Sequence, residues 1–326
     1  MLATDSTITN NAIHHSGVRS VNVQPAPSIS VVIATRNRGK SVVQTVESIL
    51  RANSVAPFEV IVVDQSEDSR CQRAMQAYAE NALVRYLRTD TQGMAKARNM
   101  AIACAKGHLI AITDDDCVVN SDWLNNIFSA FADNSRLSIL FGNVVAGKHD
   151  AESGFIPSYQ RAQARVISSA WDKNDVDGIG ACMAMRKQVW QDLHGFDEML
   201  GVGGMLQSSS EGDLVLQALY RGYQVCEMPS VAVVHHGFRT WSAGSDLIAR
   251  YWYGTGAMYG KHLKLRPLTT VLLLLRLAWR WAFGISRVAD SLGPNTQKIA
   301  RLRAFVTGFF RGLTTTVERQ TGHFRA

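Results

Sequence analysis

Three consecutive carboxylates, Asp114, Asp115 and Asp116, follow the apolar run HLIAIT at residues 108–113. Like charges this close repel one another unless a cation sits among them, and hard oxygen donors suit Mg or Mn rather than zinc. A divalent ion held there would in turn hold a diphosphate. The competing reading is a solvated turn or helix cap, because Asp is common ahead of a helix such as the one expected to open near Ser121. A second acid, Asp64, ends the run VIVVD. It could accept hydrogen bonds from a ribose or a base N–H, or simply begin an Asx turn. In GMAKARNMAIACA, Gly93 precedes a helical pattern whose first turns carry Lys96 and Arg98. Cations at that end oppose the helix dipole unless an anion lies nearby, and a pyrophosphate would be such an anion.

The elements that would position these groups alternate. Val- and Ile-rich runs at 29–35, 59–64, 83–88 and 108–113 predict strands. Amphipathic stretches at 39–52, 70–80, 93–106 and 121–132 predict helices, so the first half reads as βαβ units around a parallel sheet. Thr35, Asp64 and Asp114 then fall at the carboxyl ends of strands, where an open parallel sheet seats its ligand, and this favours the metal and nucleotide readings over the cap. The second half mixes expected strands at 137–146 and 180–186, a helix at 211–221, and a short strand at 231–235 ending in His235 and His236. The glycine-rich residues 201–205 read as a mobile acceptor loop or a plain connection.

Composition bounds the class. The chain has 326 residues, 46% hydrophobic and 19% charged, which excludes wholesale disorder, collagen and coiled coil and fits one enzyme-sized unit. Five scattered cysteines without a C-x-x-C pair suggest neither a disulfide framework nor a thiolate zinc site, and fit a reducing, cytosolic compartment. Residues 1–27 lack a basic start followed by an apolar core, so they read as a flexible tail rather than a secretory signal.

Several ordered motifs carry a resemblance. VVIATRNRGKSVVQTVESIL, EVIVVDQSEDS, GMAKARNMAIACAKG and HLIAITDDDCVVNSDWL are similar in order and spacing to the nucleotide-binding half of family 2 glycosyltransferases of GT-A fold. GACMAMRKQVW, GFDE, EGDLVLQALYRGY and PSVAVVHHG resemble that family's acceptor half, so the likeness covers about residues 28–240. It implies an α/β fold with a Rossmann-like nucleotide-binding sheet (28–120), a mixed acceptor half (121–260) and inverting transfer of a sugar from a nucleoside diphosphate to a hydroxyl of a glycan or lipid-linked acceptor. By the same resemblance Thr35 and Asp64 would meet the nucleoside, Arg98 the nucleotide or its phosphates, and Asp114 the ribose side, with Asp115 in the same donor set. Asp116 would hold the metal, Mg or Mn, with His235 on the metal or the leaving diphosphate. The family's base is usually the Asp of a Glu-Asp pair followed two residues later by Asp-Leu. This chain reads Ser210-Glu211-Gly212-Asp213-Leu214, which puts Glu211 in the base position with Asp213 as the alternative. A chain that kept the donor site and lost the base would instead be a non-catalytic nucleotide-sugar sensor or scaffold.

Residues 261–326 hold twelve Lys and Arg against Asp290 and Glu318, so the overall +7 divides into a slightly acidic body and a tail of +10. Arg276, Arg280 and Arg287 fall on one helical face and Val271, Leu274, Ala278, Trp281 and Ile285 on another, a pattern repeated at 298–313. That suits amphipathic helices lying on an anionic membrane surface, or helices packed onto the body. The expected enzyme is cytoplasmic and peripheral on the inner face of a membrane. A nucleic-acid partner is not expected, because the tail contains no recognisable recognition module.

Overall fold

The computed structural model of the chain describes residues 28–282 and 298–325. The expected N-terminal tail lies outside the described residues, as do Ile285 and Arg287. The first half builds β1 (Ile29–Thr35), α1 (Ser41–Leu50), β2 (Phe58–Asp64), α2 (Arg70–Met75), β3 (Val84–Arg88), α3 (Met94–Cys104) and β4 (Leu109–Asp114). Two short pieces follow, β5 (Cys117–Val119) and α4 (Trp123–Asp133). The second half contains β6 (Leu137–Ala146), β7 (Gly154–Phe155), β8 (Arg165–Ile167), β9 (Cys182–Arg186), α5 (Lys187–Asp192), α6 (Ser210–Tyr220), β10 (Gln224–His235) and β11 (Arg239–Thr240). Three helices, α7 (Trp241–Leu265), α8 (Pro267–Ala282) and α9 (Lys298–Thr314), complete the described chain.

Strands β1 to β4 pair in parallel, in the order β3-β2-β1-β4. Their near-continuous Val and Ile content follows from burial on both faces. Val31 and Ile33 turn toward α1 and α4, while Val32 turns toward α3 and α6, and all are fully buried. Each such side chain contributes roughly 1.5–3 kcal/mol by leaving water. The register sets Thr35 beside Asp64 and Ala34 beside Asp114, so the polar groups come level at one edge.

β9 then inserts antiparallel between β4 and β6, and β10 pairs with β6, β5 and β8. Both halves therefore share one sheet. The expected short strand at 231–235 is the end of a twelve-residue β10 that is irregular between Met228 and Ala232, where Pro229 has no N–H to donate. The unanticipated β5 pairs Cys117 with His235 and so brings strand β10 back to the acids.

The boundary drawn at 261 falls inside α7, which runs unbroken to Leu265. α9 crosses α7 closely: a Cβ on Gly260 would lie 2.9 Å from the backbone nitrogen of Leu313, so only glycine permits this approach. The expected faces of the tail need correction. Arg276 does not point to solvent lipid; it pairs with Asp172 (3.0 Å) and Asp175 (2.8 Å), and Arg280 also pairs with Asp175. Leu274 and Trp281 turn inward as well, the latter against Trp252 at 4.9 Å. Among the described residues no helix is long and apolar enough to cross a membrane.

Candidate active site

Two charged clusters meet at the carboxyl edge of the parallel strands. In the first, Arg98 rises from α3, fully buried, and bonds Glu211 of α6 through one nitrogen. Its other terminal nitrogen reaches Asp114 Oδ1 (3.2 Å) and the Gly180 carbonyl (3.4 Å). Burial opposes ionisation of Glu211, yet the Arg98 charge more than offsets it and holds the carboxyl below its usual range. Glu211 also accepts from Ser210 Oγ at 2.9 Å, and its side chain keeps 22% exposure. A Cβ on Gly180 would overlap Glu211 Oε1 and stand 3.0 Å from both terminal nitrogens of Arg98. Arg98 thus bridges two carboxylates at the edge where it was expected to meet the nucleotide or its phosphates.

In the second cluster, Thr35 donates to Asp115 Oδ2 at 2.5 Å. Burial nevertheless pushes the Asp115 carboxyl up to about 7. Asp116 lies 3.1 Å from His235 Nε2 and 3.2 Å from Arg38, and although burial works against it, these partners hold its carboxyl below the usual range. Arg38, in the loop after β1, was not singled out from sequence; its signal was a cation directly beyond a strand end. Asp64 ends β2 with both oxygens engaged, one by Tyr86 Oη (2.5 Å) and one by the Ser66 N–H (2.8 Å). It lies fully buried, so its remaining lone pairs are what a ligand could use.

Asp213, the alternative base, does not reach this edge. It is 1% exposed and accepts from Lys261 Nζ, from His262 Nε2 (both 2.8 Å) and from Gln217 (2.9 Å). Two residues along α6 turn a side chain by about 200°, so Glu211 and Asp213 point to different surroundings.

The residues fit a divalent cation. Ligand atoms of Asp116, Cys117 and His235 lie within 4.8 Å of one another. His235 Nδ1 is 2.8 Å from the Pro157 carbonyl, so Nδ1 carries a hydrogen and Nε2 faces the Asp116 carboxylate, which raises the imidazole pKa against burial and would leave Nε2 a lone pair once a cation replaced its proton. Two such acceptors at 3.1 Å need a shared proton or a cation between them. Burial and the negative field of Asp114 and Asp116 keep the Cys117 thiol well above its usual pKa, so the oxygen and imidazole donors make the better ligand set.

Comparison with known proteins agrees with this geometry. A family model described as Glycosyl transferase family 2 matches residues 30–193. The O-antigen biosynthesis protein RfbC of Myxococcus xanthus is 24% identical over 250 residues, covering 72% of this chain and 19% of that protein. The chain thus spans about a fifth of that relative's length. Among solved structures, Staphylococcus aureus TarS 1–349 superposes with a TM-score of 0.58 at 16% identity, covering 88% of this chain and 81% of that one. The mannosyltransferase PcManGT of Pyrobaculum calidifontis, in complex with GDP-Man and Mn2+, superposes with a TM-score of 0.54 at 18% identity, covering 89% and 88%. The expected α/β GT-A fold is borne out.

Proposed function

The chain belongs to glycosyl transferase family 2, and we propose that it is a glycosyltransferase that inverts the anomeric centre as it moves a sugar from a nucleoside diphosphate to a glycan or lipid-linked hydroxyl. The observation that carries this is the convergence of Glu211 with the Asp114–Asp116 edge, joined through the buried Arg98. Inversion needs a base on the acceptor side and charge stabilisation on the leaving side, in one site but on different elements. Glu211, on α6 of the acceptor half, is ionised and partly exposed, as a base must be. The acids Asp114 to Asp116 lie at the end of β4 in the donor half.

Thr35, Asp64 and Asp115 line the strand ends where the nucleoside would lie, with Asp114 toward the ribose. Asp116 and His235 would hold Mg or Mn, which when bound offsets the charge that develops on the leaving diphosphate. Arg98 orients Glu211 and Asp114 against each other. A soluble acceptor would need no basic, amphipathic tail, so the acceptor reading favours a glycan presented at the cytoplasmic face of a membrane.

The test is turnover of UDP-, GDP- and dTDP-sugars with manganese or magnesium, in wild type and Asp116→Asn. One donor is expected to be consumed only with metal, and Asp116→Asn is expected to lower turnover about a hundredfold or more. Metal-free activity in Asp116→Asn at the wild-type rate would overturn the mechanism. Gly180→Ala gives a second prediction, because its methyl group must push Glu211 and Arg98 apart. Displacements near 1 Å can cost about a hundredfold in rate. Turnover should fall by that order while donor affinity, read by calorimetry, changes by less than a few-fold. An unchanged kcat would show that the Glu211–Arg98 geometry is not rate-determining.

A further inference from the structure

We propose that the outward apolar stripes of α8 and α9 form the face by which the enzyme docks on an anionic membrane surface; this rests on the reading of its acceptor as membrane-presented. On α8 the stripe is Leu268 (82% exposed), Val271, Leu272, Leu275 (62%) and Trp279. On α9 it is Ile299 (76%), Leu302, Val306 and Phe310 (60%). The spacing in both is that of one helical face; Arg303, four residues after Ile299 and seven before Phe310, borders the α9 stripe. The opposite faces are already satisfied, with Leu273 fully buried and Phe305 and Phe309 packed in the same cluster as Met258 and Tyr259 of α7. Soluble monomers rarely leave contiguous apolar surface of this kind exposed.

Charge selects the occupant. The inward arginines of α8 are taken up by Asp172 and Asp175, whereas Lys264, Arg266, Arg303 and Arg311 are exposed beside the stripes in sequence. Residues 261–326 carry +10 in all, and with Lys261, Arg276 and Arg280 paired to acids of the body the remaining cations still leave the segment basic. A second copy packed symmetrically on this face would set that basic segment against itself, which is repulsive. Anionic headgroups attract it, and the acyl boundary takes the apolar side chains. Because no described helix can cross a bilayer, α8 and α9 would lie in the interface plane, buried by about 5–10 Å.

The experiment is co-sedimentation of the full chain with phosphatidylcholine vesicles, with or without about a third of phosphatidylglycerol, for wild type and the double variant Leu275→Glu and Phe310→Glu. Both side chains are exposed, so the fold is expected to survive, which the thermal melt and donor turnover in lipid-free buffer verify. Wild type is expected to pellet with the anionic vesicles and weakly with neutral ones, and the double variant to partition about tenfold less or weaker still. Equal pelleting of wild type and variant would overturn the assignment of this face. No pelleting of wild type with donor turnover intact would overturn the docking and spare the transferase reading. Pelleting without turnover of any donor would do the reverse. A wild-type dimer in light scattering that the variant turns into monomer, with no vesicle binding, would give the face to a second copy and overturn the proposal.

Discussion

Glu211→Gln should bind the donor that the wild type consumes and turn it over about 10²–10⁴-fold more slowly, the usual contribution of a positioned general base. The amide keeps the size of the side chain and can still accept from Ser210, but it has no carboxylate to take the acceptor proton. It also removes one of the charges on the buried Arg98, while Asp114 and the Gly180 carbonyl remain as partners. For that reason donor affinity and the melting temperature must be measured beside kcat. Glu211→Asp separates geometry from charge: it retracts the carboxylate by one methylene, and turnover should fall between the wild type and Gln. The pH profile supplies a further check. Against the effect of burial, Arg98 holds the Glu211 carboxyl below its ordinary value of 4.5, so it stays ionised as pH falls through the neutral range. The acid limb of kcat/KM from this group should therefore begin below about pH 5. Turnover of Glu211→Gln within a few-fold of wild type would remove Glu211 as the base; an acid limb near neutrality would belong to Asp115, which burial raises to about 7.

The polar edge of the parallel strands was legible because its logic is local. Apolar runs that end in Thr35, Asp64 and Asp114 announce both a buried strand and the place where it meets solvent, and parallel pairing then brings those ends level. What the chain hid were relations over distance. Asp213 reads as an exposed acid at a helix start until its partners are known, and those lie 48 and 49 residues away on α7. Arg276 and Arg280 were correctly grouped on one face by helical spacing, yet spacing cannot tell which face turns outward. Asp172 and Asp175, more than 100 residues upstream, settle that. Strand β5, only three residues long, is too short to show periodicity, although it is what seats His235 beside Asp116. Arg98 shows the same limit: its position in the first turns of α3 was right, but a distant Glu211 determines what its charge serves.

Lys261→Met is expected to cost about 3–5 kcal/mol of folding stability, the usual penalty for breaking a buried ion pair from one side. Lys261 is fully buried and donates to Asp197 (2.7 Å) and Asp213 (2.8 Å), each 1% exposed. Asp197 also accepts from the Phe324 N–H at 2.8 Å, and the Lys261 ammonium stands 5.1 Å from the Phe324 ring. One cation thus joins the GFDE turn, helix α6, α7 and the chain's last described segment. Burial alone would raise the Asp213 carboxyl, but Lys261 and His262 outweigh it and hold it well below the usual range. In the wild type that stabilisation is therefore present above the unfolded pKa near 3.8 and is lost only as pH falls through the lower folded value. Removing Lys261 reverses the balance for Asp213. Its pKa should rise with burial, and the penalty of keeping it ionised is then greatest at neutral pH and relieved as it protonates. His262, which burial holds below its ordinary pKa in the wild type, becomes the remaining partner of Asp213 and gains a proton in the same direction. The gap between wild type and Lys261→Met should accordingly narrow from pH 7.5 to about pH 5, read as thermal melts against pH. At pH 7.5 the melting temperature should fall by roughly 4–8 °C. Adding Asp213→Asn to Lys261→Met should recover part of the loss, because an amide carries no charge to strand. A loss under about 1 kcal/mol, or a gap that widens as pH falls, would mean that water rather than Lys261 satisfies these carboxylates.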